Sequence, residues 1–83
     1  MQEQELLRRI MLNPDIMAGK PIIKGTQLPV EYILSLLAHG TREEEIFKQH
    51  AGMTHEDIQA CLLFAAKSLE TSFFIPLTMI GVA

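Results

Sequence analysis

The sequence contains one cysteine, no tryptophan and one tyrosine among its 83 residues. With Cys61 alone, no disulfide can form within the chain, which is typical of a protein from a reducing compartment. Basic side chains number seven against ten acidic ones, so the net charge is −3 and no overall positive field attracts nucleic acid or an anionic membrane. The first five residues are polar and acidic, unlike a secretion signal, and we expect a cytoplasmic protein.

Long apolar runs are also absent. The longest, Phe73 to Ala83, contains Pro76 and Gly81 and is far shorter than the roughly 20 residues that span a membrane. The chain is nevertheless 48% hydrophobic, which is enough for a core, and its length predicts a single domain over 1–83. Because so small a domain has a marginal core, we expect it to gain stability as a homodimer or on a partner.

Residues 10–29 are predicted to form an extended arm or a β-hairpin. Proline disfavours helix in the residue before it, and this segment holds three prolines. The candidate strands are Ile10–Leu12 and Ile22–Ile23, and Asn13–Asp15 supplies the turn after the first strand.

Residues 30–70 are predicted to form three helices. In the first, at about 30–39, an apolar face recurs with helical period at Val30, Ile33, Leu34 and Leu37, and Gly40 stops the helix. The second helix starts with a capping box of Thr41 and Glu44, and the third with one of Thr54 and Asp57. The predicted inward face of the third helix consists of Ile58, Leu62, Ala65 and Leu69.

No charged residue follows Glu70, and residues 71–83 form an apolar tail. The middle of the third helix is apolar on every side, so a second face of this helix, besides the one on the core, must also be buried. Two alternatives stay open. The tail folds onto this face and completes the core, or the tail and this face of the third helix both contact a partner. The two can coexist in a dimer that exchanges tails. The candidate partner-binding residues are Phe64, Phe73, Phe74, Ile75, Leu77 and Ile80.

Several short motifs resemble a bacterial family of domains of unknown function, the one numbered 433. They are Asn13-Pro14, Gly19-Lys20-Pro21, Gly25-Thr26-Gln27, Pro29-Val30 and Met53-Thr54-His55-Glu56-Asp57-Ile58. The resemblance implies an all-α, homeodomain-like three-helix bundle with a helix-turn-helix, preceded by the short hairpin or arm. It also implies an antitoxin similar to VapB-type proteins, whose partner is a PIN-like ribonuclease toxin. Gln27 stands where the family has arginine.

Other classes of site find less support in the residues. Nucleic-acid contact is the alternative function, that of a small DNA-binding transcriptional regulator, with Arg8, Arg9, Lys20 and Lys24 as candidate contacts. Residues 41–70 argue against strong DNA binding, since they hold three basic and six acidic side chains. The spacing of the remaining candidate ligands and nucleophiles does not match a metal-binding motif. These residues are His39, His50, His55 and Cys61. We therefore predict a non-enzymatic binding protein without metal or cofactor.

Overall fold

The computed structural model describes residues 2–71, which adopt a mixed α/β fold. These residues form four α-helices and one three-stranded antiparallel sheet. In chain order the elements are α1 (Glu3–Leu7), β1 (Ile10–Met11), a 3₁₀ turn (Met17–Gly19), β2 (Ile22–Ile23), β3 (Leu28–Pro29), α2 (Val30–Ala38), α3 (Glu43–Gln49) and α4 (His55–Thr71). The prediction of an all-α fold is therefore wrong.

The sheet has the order β1-β2-β3, with β2 in the centre. The predicted pairing of the first two strands is confirmed, because Ile10 lies opposite Ile23 and Met11 opposite Ile22, although Leu12 is outside the strand. On the other side of β2 lies β3, which the sequence did not reveal. Its Pro29 has no N–H to donate, and an edge strand tolerates that loss.

The central strand explains why an all-α core was the wrong expectation. Ile22 is 1% exposed and Ile23 is fully buried, and Ile23 belongs to the same core cluster as Ile33 of α2 and Ile58 of α4. Strands of two residues are too short to show an alternating pattern, and their partners lie up to 13 positions away along the chain. The predicted arm is thus part of the core.

The end of α2 also determines where α3 begins. The predicted apolar face of α2 is confirmed: Val30 and Ile33 are buried, and the leucines of that face pack against the core. Gly40 has φ +86°, its N–H donates to the Leu37 carbonyl at 3.0 Å, and the Thr41 N–H donates to the Leu36 carbonyl at 3.0 Å. Because Thr41 completes the end of α2, Arg42 takes the N-cap position of α3.

The predicted capping box of Thr41 and Glu44 is therefore wrong, whereas the one at α4 is confirmed. The Asp57 N–H donates to Thr54 Oγ1 at 3.2 Å, and the Thr54 N–H donates to Asp57 Oδ2 at 3.1 Å. Asp57 also accepts from Arg9 Nη1 at 3.1 Å, with its side chain only 8% exposed. The start of α4 is thus fixed both to its own cap and to the chain just before β1.

The inward face of α4 differs from the predicted one. Ile58 is buried as expected, but Leu62 is 50% exposed and Leu69 is 61% exposed. Cys61, which is fully buried, and the partly buried Phe64 pack in the core instead. Because the middle of this helix is apolar on every side, its sequence does not reveal which face is buried, and the structure buries Asp57, Ile58, Ala60 and Cys61.

The short helix α1 was not predicted, because five residues, two of them leucines, are too few to show a helical period. Its Leu6 is buried, and it lies beside α4. Lys67 of α4 bonds Glu3 of α1 at 3.1 Å and Glu70 at 3.4 Å. None of the helices within residues 2–71 has the length and apolar composition needed to cross a membrane.

A pH-dependent contact joins α3 to α4. His55 Nδ1 lies 2.6 Å from Glu43 Oε1, and this hydrogen bond, followed by the charge of Glu43, raises the pKa of His55 above its ordinary 6.5. The contact therefore stabilises the fold below about pH 6.5, and this stabilisation is lost as the pH rises through the higher folded-state pKa.

We expect the fall in melting temperature between about pH 6 and about pH 9 to be smaller in Glu43→Gln than in the wild type. Glu44→Gln, one residue further along the same exposed helix, is the matched control and should retain the wild-type difference. Thermal unfolding at the two pH values measures this. Identical pH profiles for Glu43→Gln and wild type would contradict the assignment.

Candidate protein-binding site

The solvent side of α4 carries an apolar surface that the core does not cover. Leu62, Ala66 and Leu69 are all exposed and lie four and three residues apart, so they share one face of the helix. Two of the five exposed large hydrophobic side chains within residues 2–71 belong to this leucine face. Isolated exposed leucines are ordinary, but adjacent ones on a regular helix are typical of contact surfaces.

Phe64 lies on the other side of α4, between two grooves. The α1–α4 groove has a volume of about 390 Å³ and is lined by Leu7, Ile10, Leu12, Phe64, Lys67 and Ser68. A second groove of about 290 Å³ runs along α2 and is lined by Lys20, Pro21, Val30, Glu31, Leu34, Phe64, Ala65 and Ser68. Phe64 is the predicted contact residue that the structure describes, and it separates these two apolar depressions.

The other five predicted partner-binding residues, which are Phe73, Phe74, Ile75, Leu77 and Ile80, lie outside the described residues. Sequence reasoning assigned Leu62 and Leu69 to the core and so missed the leucine face. No local signal would have revealed it, because what decides their exposure is the rotation of α4. That rotation accompanies contacts with distant parts of the chain: Ile58 and Cys61 pack in the core, and Asp57 pairs with Arg9, 48 positions away.

The four candidate nucleic-acid contacts divide into a cluster of three and one outlier. Arg8, Arg9 and Lys24 line a cleft of about 350 Å³ together with Glu5 and Asp57. Arg9 is already paired with Asp57, whereas the side chains of Arg8 and Lys24 form no ion pair or hydrogen bond with residues 2–71. Lys20 lies apart and pairs with Glu31 at 2.7 Å.

The histidines and the cysteine have structural roles. His39 Nδ1 donates to the Ser35 carbonyl at 2.7 Å, and His50 shares a 3.1 Å hydrogen bond with the Tyr32 hydroxyl. Burial, and secondly the charge of Asp57, raises the pKa of Cys61 to about 12, so its thiol stays protonated and unreactive at neutral pH. Within residues 2–71, no three His, Cys, Asp or Glu side chains are grouped so that they could hold a metal ion.

Comparison with known proteins places the chain in a family. The profile of DUF433, described as a protein of unknown function, matches residues 10–65. The chain belongs to the DUF433 family. A crystal structure of a DUF433 member from Anabaena variabilis ATCC 29413, at 2.00 Å resolution, has a similar fold with a TM-score of 0.70 and 25% identity. The similarity covers 81% of this chain and 66% of that one, so this chain spans slightly less than two thirds of its length. No curated protein matches this chain.

The DUF433 match includes some of the candidate surfaces and excludes others. It includes the sheet, α2, α3 and the first part of α4 with Leu62 and Phe64. It excludes α1 and the end of α4, and with them Arg8, Arg9 and Leu69. Gln27 has a left-handed backbone with φ +61° and is exposed. The α1–α4 groove therefore combines the shared DUF433 core with residues of this chain outside the match.

Proposed function

We propose that this DUF433 protein is a cytoplasmic, non-enzymatic antitoxin that binds a PIN-like ribonuclease through the leucine face of α4. The exposure of Leu62 and Leu69 on one side of a regular helix is the observation that carries the proposal. The nature of the partner rests on the resemblance of the sequence motifs to antitoxin-like proteins. Covering the entrance of the nuclease active site is sufficient for inhibition, and no catalytic group on this chain is required.

Burial of the leucine face by a partner would stabilise a complex. Full burial of a leucine side chain contributes about 1.5–3 kcal/mol. Leu62 and Leu69 are each about half to two thirds exposed, so covering both contributes about 2–3 kcal/mol. A few residues commonly dominate an interface, and the surrounding contacts exclude water.

Affinity purification from the native cells, followed by mass spectrometry, tests the proposal. We expect the tagged full chain to retain a ribonuclease in a one-to-one ratio, and the double variant Leu62→Gln/Leu69→Gln to lose at least about 90% of it, since about 2–3 kcal/mol of burial is removed. Glutamine keeps the helix propensity at these exposed positions, so the variant should fold normally.

The matched control is Ala38→Gln, an exposed position on α2 that should leave retention unchanged. Recovery of no ribonuclease, or equal recovery by the double variant, would contradict the proposal. Sedimentation of the purified chain beside Leu62→Gln/Leu69→Gln shows whether a second copy occupies the leucine face instead, because only then would the double variant lose the dimer. The homodimer expected from the small core stays a prediction until that measurement.

DNA binding is the second candidate function, favoured by Arg8 and Lys24, whose side chains pair with nothing in residues 2–71 and line the cleft beside Arg9. Arg8 and Lys24 flank the Arg9–Asp57 pair and are available for phosphate contacts. Two contacts give a slope of only about −2 in a plot of log affinity against log salt concentration. A single chain would therefore bind DNA weakly, and a regulator of this kind would need the added contacts of an oligomer.

The DNA candidate makes a separate prediction. Arg8→Gln/Lys24→Gln should abolish low-salt binding to a fluorescent DNA duplex carrying the chain's own promoter, because both phosphate contacts are removed. Lys20→Gln is the matched control, since Lys20 is already paired with Glu31 and should contribute little. Equal loss in all variants, or binding by none of the proteins including wild type, would exclude the cleft as a DNA contact.

A further inference from the structure

We infer that the basic cleft lined by Arg8, Arg9 and Lys24 is a binding site for the phosphate monoester group of a small molecule. Such a terminal phosphate carries a charge of about −1.5 to −2 at neutral pH and presents three strong acceptor oxygens. The ligand differs from that of the DNA candidate, which uses the same cleft. Its binding depends neither on DNA nor on the leucine face.

The register of the sheet brings two of these cations opposite each other. Ile10 of β1 pairs with Ile23 of β2, so one position beyond the strands Arg9 lies opposite Lys24. The Lys24 N–H donates to the Arg9 carbonyl at 2.9 Å, and both side chains line the cleft. Like charges directly opposite on neighbouring strands are destabilising. An anion bound beside both side chains would offset this repulsion.

The carboxylates of the cleft do not balance its cations. Asp57 pairs with Arg9 at 3.1 Å, and Glu5 is exposed. Arg8 and Lys24 form no ion pair with residues 2–71, so the cleft keeps an excess of one positive charge. The whole chain has a net charge of −3, yet three of its seven basic residues lie at this one cleft. The charge distribution therefore attracts an anion locally.

Arg9 is held in place for a ligand of this kind. Its Nη1 donates to Oδ1 of the buried Asp57 at 3.1 Å, and this is the one bond that its side chain forms within residues 2–71. A guanidinium has five N–H donors, so further donors of Arg9 are available to a phosphate, and its side chain is partly exposed. Because the ion pair orients Arg9 in advance, binding orders the side chain at a lower entropic cost.

The cleft suits a small monoester better than a nucleic-acid backbone. Each backbone phosphate is a diester with one negative charge and two free oxygens, whereas a monoester has nearly twice the charge and a third free oxygen. Glu5 on the cleft wall would also repel the neighbouring phosphates of a continuous strand, which a small molecule lacks. The cleft volume of about 350 Å³ is in the range of small-molecule sites.

A titration of the ¹⁵N-labelled full chain, followed by backbone amide chemical shifts, tests the inference. The probes are methyl phosphate, a monoester, and dimethyl phosphate, a diester of similar size, at constant ionic strength and at about pH 7.5, where the monoester carries nearly two charges. We expect saturable shifts at Arg8, Arg9 and Lys24, with a dissociation constant at least about five times lower for methyl phosphate. Equal or tighter binding of dimethyl phosphate would overturn the inference and favour the DNA candidate. No saturable shift with either probe would also overturn it.

Two double variants with the same change of charge locate the bound anion. Arg8→Gln/Lys24→Gln should weaken methyl phosphate binding at least about tenfold, because two of the three cations are removed. Arg42→Gln/Lys48→Gln removes an arginine and a lysine from exposed positions at α3, and should change the dissociation constant less than about twofold. Equal weakening by both variants would overturn the inference, because the anion would then respond only to overall charge.

The amide spectra of the two variants show directly whether each is folded, and the wild-type titration is decisive without either of them. None of these substitutions changes the leucine face. Failure of phosphate binding would therefore leave the antitoxin proposal intact, and failure of nuclease binding would leave the phosphate site intact.

Discussion

Replacing Ile23 by alanine is expected to lower the free energy of unfolding by about 2–5 kcal/mol. Ile23 is fully buried in the central strand and belongs to the core cluster together with residues of α2, α3 and α4. The substitution removes three carbon atoms from a site that every layer of the fold surrounds, and a cavity remains. Urea unfolding followed by circular dichroism measures the loss.

Ile16→Ala is the matched control for this substitution. Ile16 lies in the same segment of the chain but outside the strands, and it is only partly buried. Its loss should be below about 1.5 kcal/mol, because less apolar area is uncovered. Equal, small effects of both substitutions would mean that residues 10–29 are an appendage and that the sheet is not part of the core.

Removing the carboxylate of Asp57 is the second large effect that we expect. Asp57→Ala deletes an acceptor for the Thr54 N–H and the partner of Arg9 in one step. A lost cap contributes about 1 kcal/mol, and breaking a buried ion pair contributes about 3–5 kcal/mol. Because Arg9 is 34% exposed and can recover solvent, we expect a total below the sum of these contributions, about 2–4 kcal/mol.

The two neighbouring arginines provide a matched comparison. Arg9→Ala leaves the Asp57 carboxylate buried without its counter-charge and should destabilise the fold by about 2 kcal/mol. Arg8→Ala removes an exposed side chain that forms no ion pair within the described residues and should change stability by less than about 0.5 kcal/mol. Equal effects of the two arginine variants would show that the Arg9–Asp57 contact does not set the position of α4.

Local signals in the sequence were sufficient for the elements that depend on neighbouring residues. The face of α2, its stop at Gly40 and the capping box of Thr54 and Asp57 all arise within a few positions of the chain, and all are confirmed. The capping box at Thr41 failed because two helices compete for that residue, and the end of α2 takes its N–H. Sequence spacing does not reveal which helix prevails.

Features that depend on distant pairing could not be predicted. The third strand needs β2 as its partner, and α1 needs the side of α4. Leu62 and Leu69 are exposed because α4 turns Ile58 and Cys61 to the core and Asp57 to Arg9, 48 positions away, and these contacts cannot be read from the sequence of the helix. For the same reason, Arg8, Arg9 and Lys24 could be named as cations, but neither their shared cleft nor the separation of Lys20 could be foreseen.

The central claim is that the leucine face inhibits a ribonuclease by binding it, and a titration of nuclease activity tests it most directly. Increasing amounts of the purified full chain are added to the recovered nuclease with a single-stranded RNA substrate. We predict that activity falls to zero near a one-to-one ratio, and that the apparent dissociation constant fitted to the titration is about 100-fold higher for Leu62→Gln/Leu69→Gln, the equivalent of about 3 kcal/mol. Undiminished activity at a large excess of wild-type protein, or equal inhibition by the double variant, would contradict the account.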